Sequence, residues 1–238
     1  MSYTLYFSPD SANLVVRMAL EELGAPYTDV LVDRSVLAQR SPAYLALNPQ
    51  GLLPVLIDPL QNVSLFETGA ILLHLAERHQ ALQPADSAAR GRFLKWLFYL
   101  SNTLHADLRG LFYTERYVPI AGAIPVLREG LSARVAAHFR LLDQEMAAHG
   151  GPWLLGSELT VCDLYLACLA RWAVLYPAGA TLAPQAVAGL PHLGRMLRLL
   201  EQRPAVQAAL QKEGLAAPGV PAFSAPQAPR LAANAVTG

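Results

Sequence analysis

The spacing of the apolar residues changes once along this chain, near residue 80, and no other feature constrains the fold as much. Before that point short β-rich runs alternate with helical ones. Residues 3–7 (YTLYF) read as a strand, and residues 13–24 as a helix burying Val15, Val16, Ala19, Leu20 and Leu23. Residues 27–33 read as a second strand. Gly24 ends the helix and Pro26 forbids its restart. Strand, helix and strand in so short a span make a βαβ unit with parallel strands and a right-handed crossover. After a polar, poorly periodic stretch over 41–48, residues 52–57 and 63–66 read as a hairpin, with Asp58-Pro59 and Gln61-Asn62 supplying its turn, and 67–79 as a helix. Residues 80–86 are a linker, because Pro84 cannot continue a helix and Asp86 can cap the next. From there to about residue 212 only helical spacing occurs, over 88–116, 124–150, 161–175, 191–202 and 205–212. The predicted fold class is α/β plus all-α. A mixed-sheet domain spans 1–80, an all-helical domain spans 87–213, and an Ala- and Pro-rich, loosely held tail spans 214–238.

With 53% hydrophobic and 15% charged residues, a chain of 238 residues can bury a real core and is no disordered protein. Lys plus Arg and Asp plus Glu each count 18, so the formal charge is 18 − 18 = 0 and nothing draws the protein to a polyanion. Nucleic acid is excluded as the main partner on that ground. Cys162 and Cys168 fall on different faces of one helix, which argues against a bridge and for a reducing compartment. The opening MSYTLYFSPD has neither a basic leader nor an apolar core, and Arg171 interrupts the best apolar run. A cytoplasmic protein with no membrane partner is expected.

The most specific motif is Asn48-Pro49-Gln50-Gly51-Leu52-Leu53-Pro54. Pro54 lies where a strand should begin, although proline cannot donate to a ladder. Two readings are open. A trans proline simply starts the strand, whereas a cis Leu53–Pro54 bond turns Leu53 outward and leaves its N–H and C=O to pair with an extended peptide ligand. Glu67 and Thr68 open a helix, either as an ordinary cap or as an anion site built on unpaired N–H groups. Thr160-Val161-Cys162-Asp163 is a capping box, with Leu159 and Leu164 as its staple, and belongs to folding. Asn102, His105, Arg109 and Tyr113 recur at i, i+3 and i+4 spacing, flanked by Phe98, Tyr99 and Phe112. That face suits a small-molecule cleft, a solvated surface or a dimer contact. His105 has no companions at ligand spacing, so no metal is expected.

Taken together, the element order, Asn-Pro-x-Gly-x-x-Pro before a hairpin, Phe66-Glu67-Thr68-Gly69-Ala70-Ile71 opening a helix, and the all-helical second half resemble the cytosolic glutathione S-transferase family over about residues 3–212. The resemblance implies a thioredoxin-like N-terminal domain that binds glutathione as cosubstrate along Leu53 and Pro54. Glu67 would take its amino group, and the Thr68 hydroxyl and N–H its α-carboxylate. Gly51 and Leu52 are apolar where the family often carries a cationic or amide side chain, so Arg34, Arg40 or Gln50 would hold the glycyl carboxylate. Ionising a thiol of pKa about 8.5 two units lower takes about 2.7 kcal/mol, more than a helix dipole (about 0.3–1 kcal/mol) supplies without a hydrogen bond (about 1.5–3 kcal/mol). The serine type of the family places that donor at Ser11 and the tyrosine type at Tyr6, with Asn13 and Ser8 as further donors. The cysteine-type position falls near Ala12, where this chain has no thiol. The implied activity is attack of glutathione thiolate on a small hydrophobic electrophile by a detoxifying homodimer, with Asn102, His105, Arg109 and Tyr113 lining the electrophile pocket. Rivals are a glutathione-dependent isomerase, dehalogenase or reductase, and a non-catalytic binding module of the same fold.

Overall fold

A computed structural model describes residues 2–178, 182–215 and 220–227. They form two compact units. One runs to Ala81 and takes back the chain from Pro204; the other runs from Leu82 to Arg203 and takes in a last segment ending at Gln227.

The first unit is built on a four-stranded sheet of order β2-β1-β3-β4, with β1 Tyr3–Phe7, β2 Tyr27–Leu31, β3 Val55–Asp58 and β4 Val63–Phe66. β1 and β2 are parallel, joined by helix α1 Asn13–Glu22, while β3 is antiparallel to both β1 and β4. Alternation along each strand decides what each face buries. Tyr6 and Val55 are register partners, and both belong to an apolar cluster with Val32 and Tyr44. Tyr44 lies on α2 (Pro42–Leu47). On the opposite face Leu5 and Leu56 are fully buried, and Arg17 of α1 lies over the Phe7 ring. Helix α3 (Thr68–His79) closes this part and packs on α1.

The polar stretch over 41–48 holds a helix that its spacing did not predict. Six residues are too few to show a period, but Pro42 at its first turn and the Ser41 hydroxyl accepting the Tyr44 N–H are ordinary start signals.

The second unit is helical: α4 Arg90–Tyr99, α5 His105–Phe112, α6 Thr114–Tyr117, α7 Ile124–His149, α8 Val161–Leu175 and α9 Pro191–Leu200. Its core is α8, buried along nearly its whole length and packed by α4, α5 and α9. The capping box over Thr160 and Asp163 forms as expected, the Asp163 carboxylate accepting the N–H groups of Thr160 (2.8 Å) and Leu154 (2.7 Å).

Three expectations are corrected here. The single helix over 88–116 is broken by a π-helical stretch, Leu100–Leu104, and by a departure from helical backbone at Tyr113. Helix α10 (Pro204–Lys212), expected in the helical domain, packs instead on α1 and buries Val206, Ala209 and Leu210 in the first unit. The tail read as loosely held is anchored in part. Phe223 is buried, its N–H and that of Ser224 reach Glu201, and Arg171 donates to the carbonyls of Ala222 and Gln227. Residues 216–219 and 228–238 of that tail lie outside the described residues.

Candidate functional site

Strand directions bring the sequence motifs together. Phe66, Val55 and Tyr6 stand side by side across β4, β3 and β1. β1 and β4 end at this edge and β3 begins there, so the loop after Phe7, the Leu53-Pro54 pair before Val55, and Glu67-Thr68 after Phe66 all gather at one end of the sheet.

The Leu53–Pro54 bond is cis. Among the described residues neither the N–H nor the C=O of Leu53 meets a hydrogen-bond partner. Its side chain packs on the Val32–Tyr44–Val55 cluster, against which Tyr6 also lies. The preceding loop is held rigidly by Asn48, 2% exposed, whose amide donates to the Leu52 carbonyl (2.8 Å) and accepts the Gln50 N–H (3.1 Å). The Tyr44 hydroxyl donates to the same Leu52 carbonyl (2.7 Å). Gly51 has φ +64 and lies so close to the 38–40 turn that a Cβ would meet the Gln39 carbonyl at 2.9 Å. Asn48 and Gly51 of the Asn-Pro-x-Gly motif therefore shape the backbone that presents Leu53.

Glu67 precedes α3 with a positive φ, φ 73 and ψ 113, and its exposed carboxylate accepts the Gln50 side-chain amide (3.0 Å). Thr68 is buried at the first turn, and its hydroxyl has no hydrogen-bond partner among the described residues. Arg40 is exposed and reaches the Gln50 carbonyl at 3.4 Å. Pro54, Glu67, Thr68, Gln50 and Arg40 are thus drawn around Leu53.

The thiol-stabilising candidates separate. The Ser11 hydroxyl, partly exposed, points to the Ser8 carbonyl (2.9 Å) and to Asn13 Oδ1. Asn13 cannot donate to a ligand: it is fully buried, its Oδ1 accepts the Ser8 N–H (3.0 Å), and its Nδ2 donates to Glu213 Oε1 (2.6 Å). Ser8 is likewise buried. Tyr6 sets its ring edge-on to Tyr44 with centroids 6.0 Å apart. Glu213, just past α10, was missed by sequence reasoning. Its partners are some 200 positions away, and no local pattern marks it.

The ladder on the first long helix does not survive as one face. The π-helical stretch shifts its register, so Asn102 is exposed while His105 turns into the helical core. His105 Nδ1 meets the Tyr165 hydroxyl (2.7 Å), and its ring lies 5.7 Å from that of Trp172. Burial, with help from the Arg109 charge, lowers its pKa to about 4, so the ring is neutral at pH 7. Tyr113 instead stacks under Arg116, 4.3 Å from the ring centre. Cys162 and Cys168 are buried and free, and burial raises the Cys162 thiol well above its ordinary value. Among the described residues no cluster could hold a metal ion, and no helix is long and apolar enough to cross a membrane.

Known proteins resemble the chain along most of its length. Residues 1–77 match the N-terminal domain of glutathione S-transferases, and residues 125–212 the C-terminal domain. Glutathione S-transferase GstA of Escherichia coli O157:H7 is 30% identical over 219 residues, covering 89% of this chain and 98% of the relative. A glutathione transferase homologue from Sulfitobacter, solved with bound glutathione, superposes with a TM-score of 0.77 at 27% identity, over 90% of this chain and 99% of that one. Ure2p in complex with glutathione superposes with a TM-score of 0.74 at 25% identity, over 88% and 93%. With its thioredoxin-like sheet, its unpaired Leu53 backbone and relatives matched along most of their length, the chain belongs to the glutathione S-transferase family.

Proposed function

We propose that the protein binds glutathione at the sheet edge beside Leu53 and activates its thiol for attack on a small hydrophobic electrophile. The observation that carries this reading is the unpaired Leu53 backbone at the same end of the sheet as the start of α3. Glutathione supplies a short peptide and a thiol of ordinary pKa about 8.5. Leu53 N–H and C=O would pair with its cysteinyl main chain, as an added strand pairs with an edge. The buried Thr68 hydroxyl and the N–H groups of the first turn of α3 suit its α-carboxylate, and the exposed Glu67 carboxylate its amino group. Arg40 and Gln50 offer the cation and amide for the glycyl carboxylate. Ser11 is assigned as thiolate donor, because it alone among the loop candidates carries a hydroxyl on a partly exposed side chain. Carbon–sulfur bond formation then expels the leaving group with its bonding pair. A homodimer goes with this reading and is checked by sedimentation.

A specific observation favours a second reading. Ser11 already directs its one proton inward, to Ser8 or Asn13, which suits a module that binds glutathione without activating it. Retention on immobilised glutathione and turnover of a chlorodinitrobenzene-type electrophile, measured together with the pKa of the bound thiol, separate the two. Ser11→Ala is expected to raise that pKa by about 1–2 units, one lost hydrogen bond to a charged group. Its stability should change by less than about 1 kcal/mol, because Asn13 Oδ1 keeps the Ser8 N–H. Retention with an unshifted thiol pKa in the wild type refutes the enzyme and leaves the module.

A further inference from the structure

Glu213 is 2% exposed and stands where three donors of the first loop and helix converge. Its Oε2 accepts the Asp10 N–H (2.8 Å), and its Oε1 accepts Asn13 Nδ2 (2.6 Å) and Arg17 Nε (3.0 Å). Asn13 then presents Oδ1 to the Ser8 N–H and the Ser11 hydroxyl. A carboxylate only accepts, so Glu213 fixes which end of the Asn13 amide faces Ser11. Asp10 is held at φ 54, a left-handed backbone rare for aspartate outside tight turns. Helix α1 has no side-chain cap of its own: Ala12 occupies that place. The start of α1, and the loop that carries Ser11, are therefore held by a residue from the far end of the sequence.

We propose that Glu213 is a positioning residue for the thiol-activating loop, acting through Asn13 to set where the Ser11 hydroxyl sits and what it faces. This inference rests on the assignment of Ser11 to the glutathione thiol. Arg17 supports it from below. Its guanidinium is fully buried, bridges Glu213 to Asp29 (2.8 Å), and keeps Glu213 from being an isolated buried charge. Burial still pushes Glu213 up to about 7, against the pull of Arg17. The carboxylate is costly to keep there, and what it gains is the three loop and helix donors.

The test compares wild type with Glu213→Gln and Asn13→Ser. Glu213→Gln places an amide against three donors. Asn13→Ser cuts the link to Ser11 but leaves Glu213 paired with Arg17 and Asp10. Asn13 Oδ1 takes the one Ser11 proton, so both variants are expected to free it for the sulfur, lowering the bound-thiol pKa by about 1 unit and raising kcat up to about tenfold at a pH below that pKa, with KM for glutathione within about twofold. In the ligand-free protein, the Ser8 amide should exchange its hydrogen faster in both variants. Should Glu213→Gln fail to fold, Asn13→Ser decides alone. Wild-type protein that neither binds glutathione nor lowers its thiol pKa overturns the assignment of function, and this inference with it. Wild-type protein that does both, beside a folded variant that keeps the wild-type thiol pKa and kcat or raises that pKa, overturns this inference only.

Discussion

Replacing Gly51 by alanine should separate the shape of the Leu53 edge from the chemistry of Ser11. At φ +64, an alanine loses about 1–2 kcal/mol to the left-handed backbone, against a gain of about 0.4–1 kcal/mol from a stiffer unfolded chain. The new methyl meets two neighbours of unequal compliance. Arg40 Nη1, at 3.1 Å, is the tip of a flexible side chain and can swing away; the Gln39 carbonyl, at 2.9 Å, is backbone and cannot. The loop must therefore move from the 38–40 turn by a few tenths of an ångström, stretching the Asn48 bonds to Leu52 and Gln50 that hold Leu53 in place. Weakening two hydrogen bonds of about 1 kcal/mol each brings the total to about 2–3 kcal/mol, or a fall in Tm of about 4–12 °C for a protein of this size. Gly24→Ala is the control. Gly24 has φ +59 but nothing within 4 Å of a Cβ, so only the conformational cost applies, about 1 kcal/mol. Calorimetry of both variants, with glutathione titrations, should give Gly51→Ala the larger stability loss and a weaker KM for glutathione at unchanged saturating kcat. Equal Tm values and wild-type affinity in Gly51→Ala would refute the idea that this glycine shapes the edge.

Two further outcomes follow from buried titratable groups. Asp163→Asn should cost about 3 kcal/mol in urea unfolding, because its carboxylate accepts three donors in full burial and an amide must turn N–H groups toward them. His105 refuses its proton until about pH 4, whereas an unfolded histidine takes it near 6.5, so the folded state loses up to about 3 kcal/mol at this site as pH falls from 6.5 to 4. Urea midpoints of wild type and His105→Gln at pH 7 and pH 4.5 should draw together as pH falls, and a constant gap would show that His105 does not titrate this way.

How much of this was legible depends on the range of each interaction. The Leu53 edge could be read because Asn48, Gly51 and Pro54 lie within seven residues and each has a local duty. Glu67 and Thr68 were legible for the same reason, as the start of a helix. The strand order that gathers them followed from a βαβ unit and a hairpin. Helix α2 escaped because six residues carry no measurable period. The ladder from Asn102 to Tyr113 went wrong because a uniform helical period was assumed across Leu100–Leu104, where the turns widen. Helix α10 was assigned by its place in the sequence; its buried face fits α1 instead, a preference that spacing alone does not reveal.

The two buried carboxylates show why range matters for function as well as for reading. Asp163 and Glu213 do the same physical work: each removes an acid from water and offsets that cost by gathering donors at the start of a helix, α8 in one case and α1 in the other. Burial raises both, Asp163 to about 6 and Glu213 to about 7. Asp163 draws its donors from its own neighbourhood, so the box is a folding device complete in itself. Glu213 draws all of its donors from the other end of the chain and needs Arg17 to remain ionised near neutrality. A carboxylate so placed is a poor choice for capping alone, since a serine or aspartate in place of Ala12 would cap α1 locally. What the distant carboxylate does, and a local cap does not, is fix the Asn13 amide with its oxygen toward Ser11 while the loop around Asp10 stays in its left-handed turn.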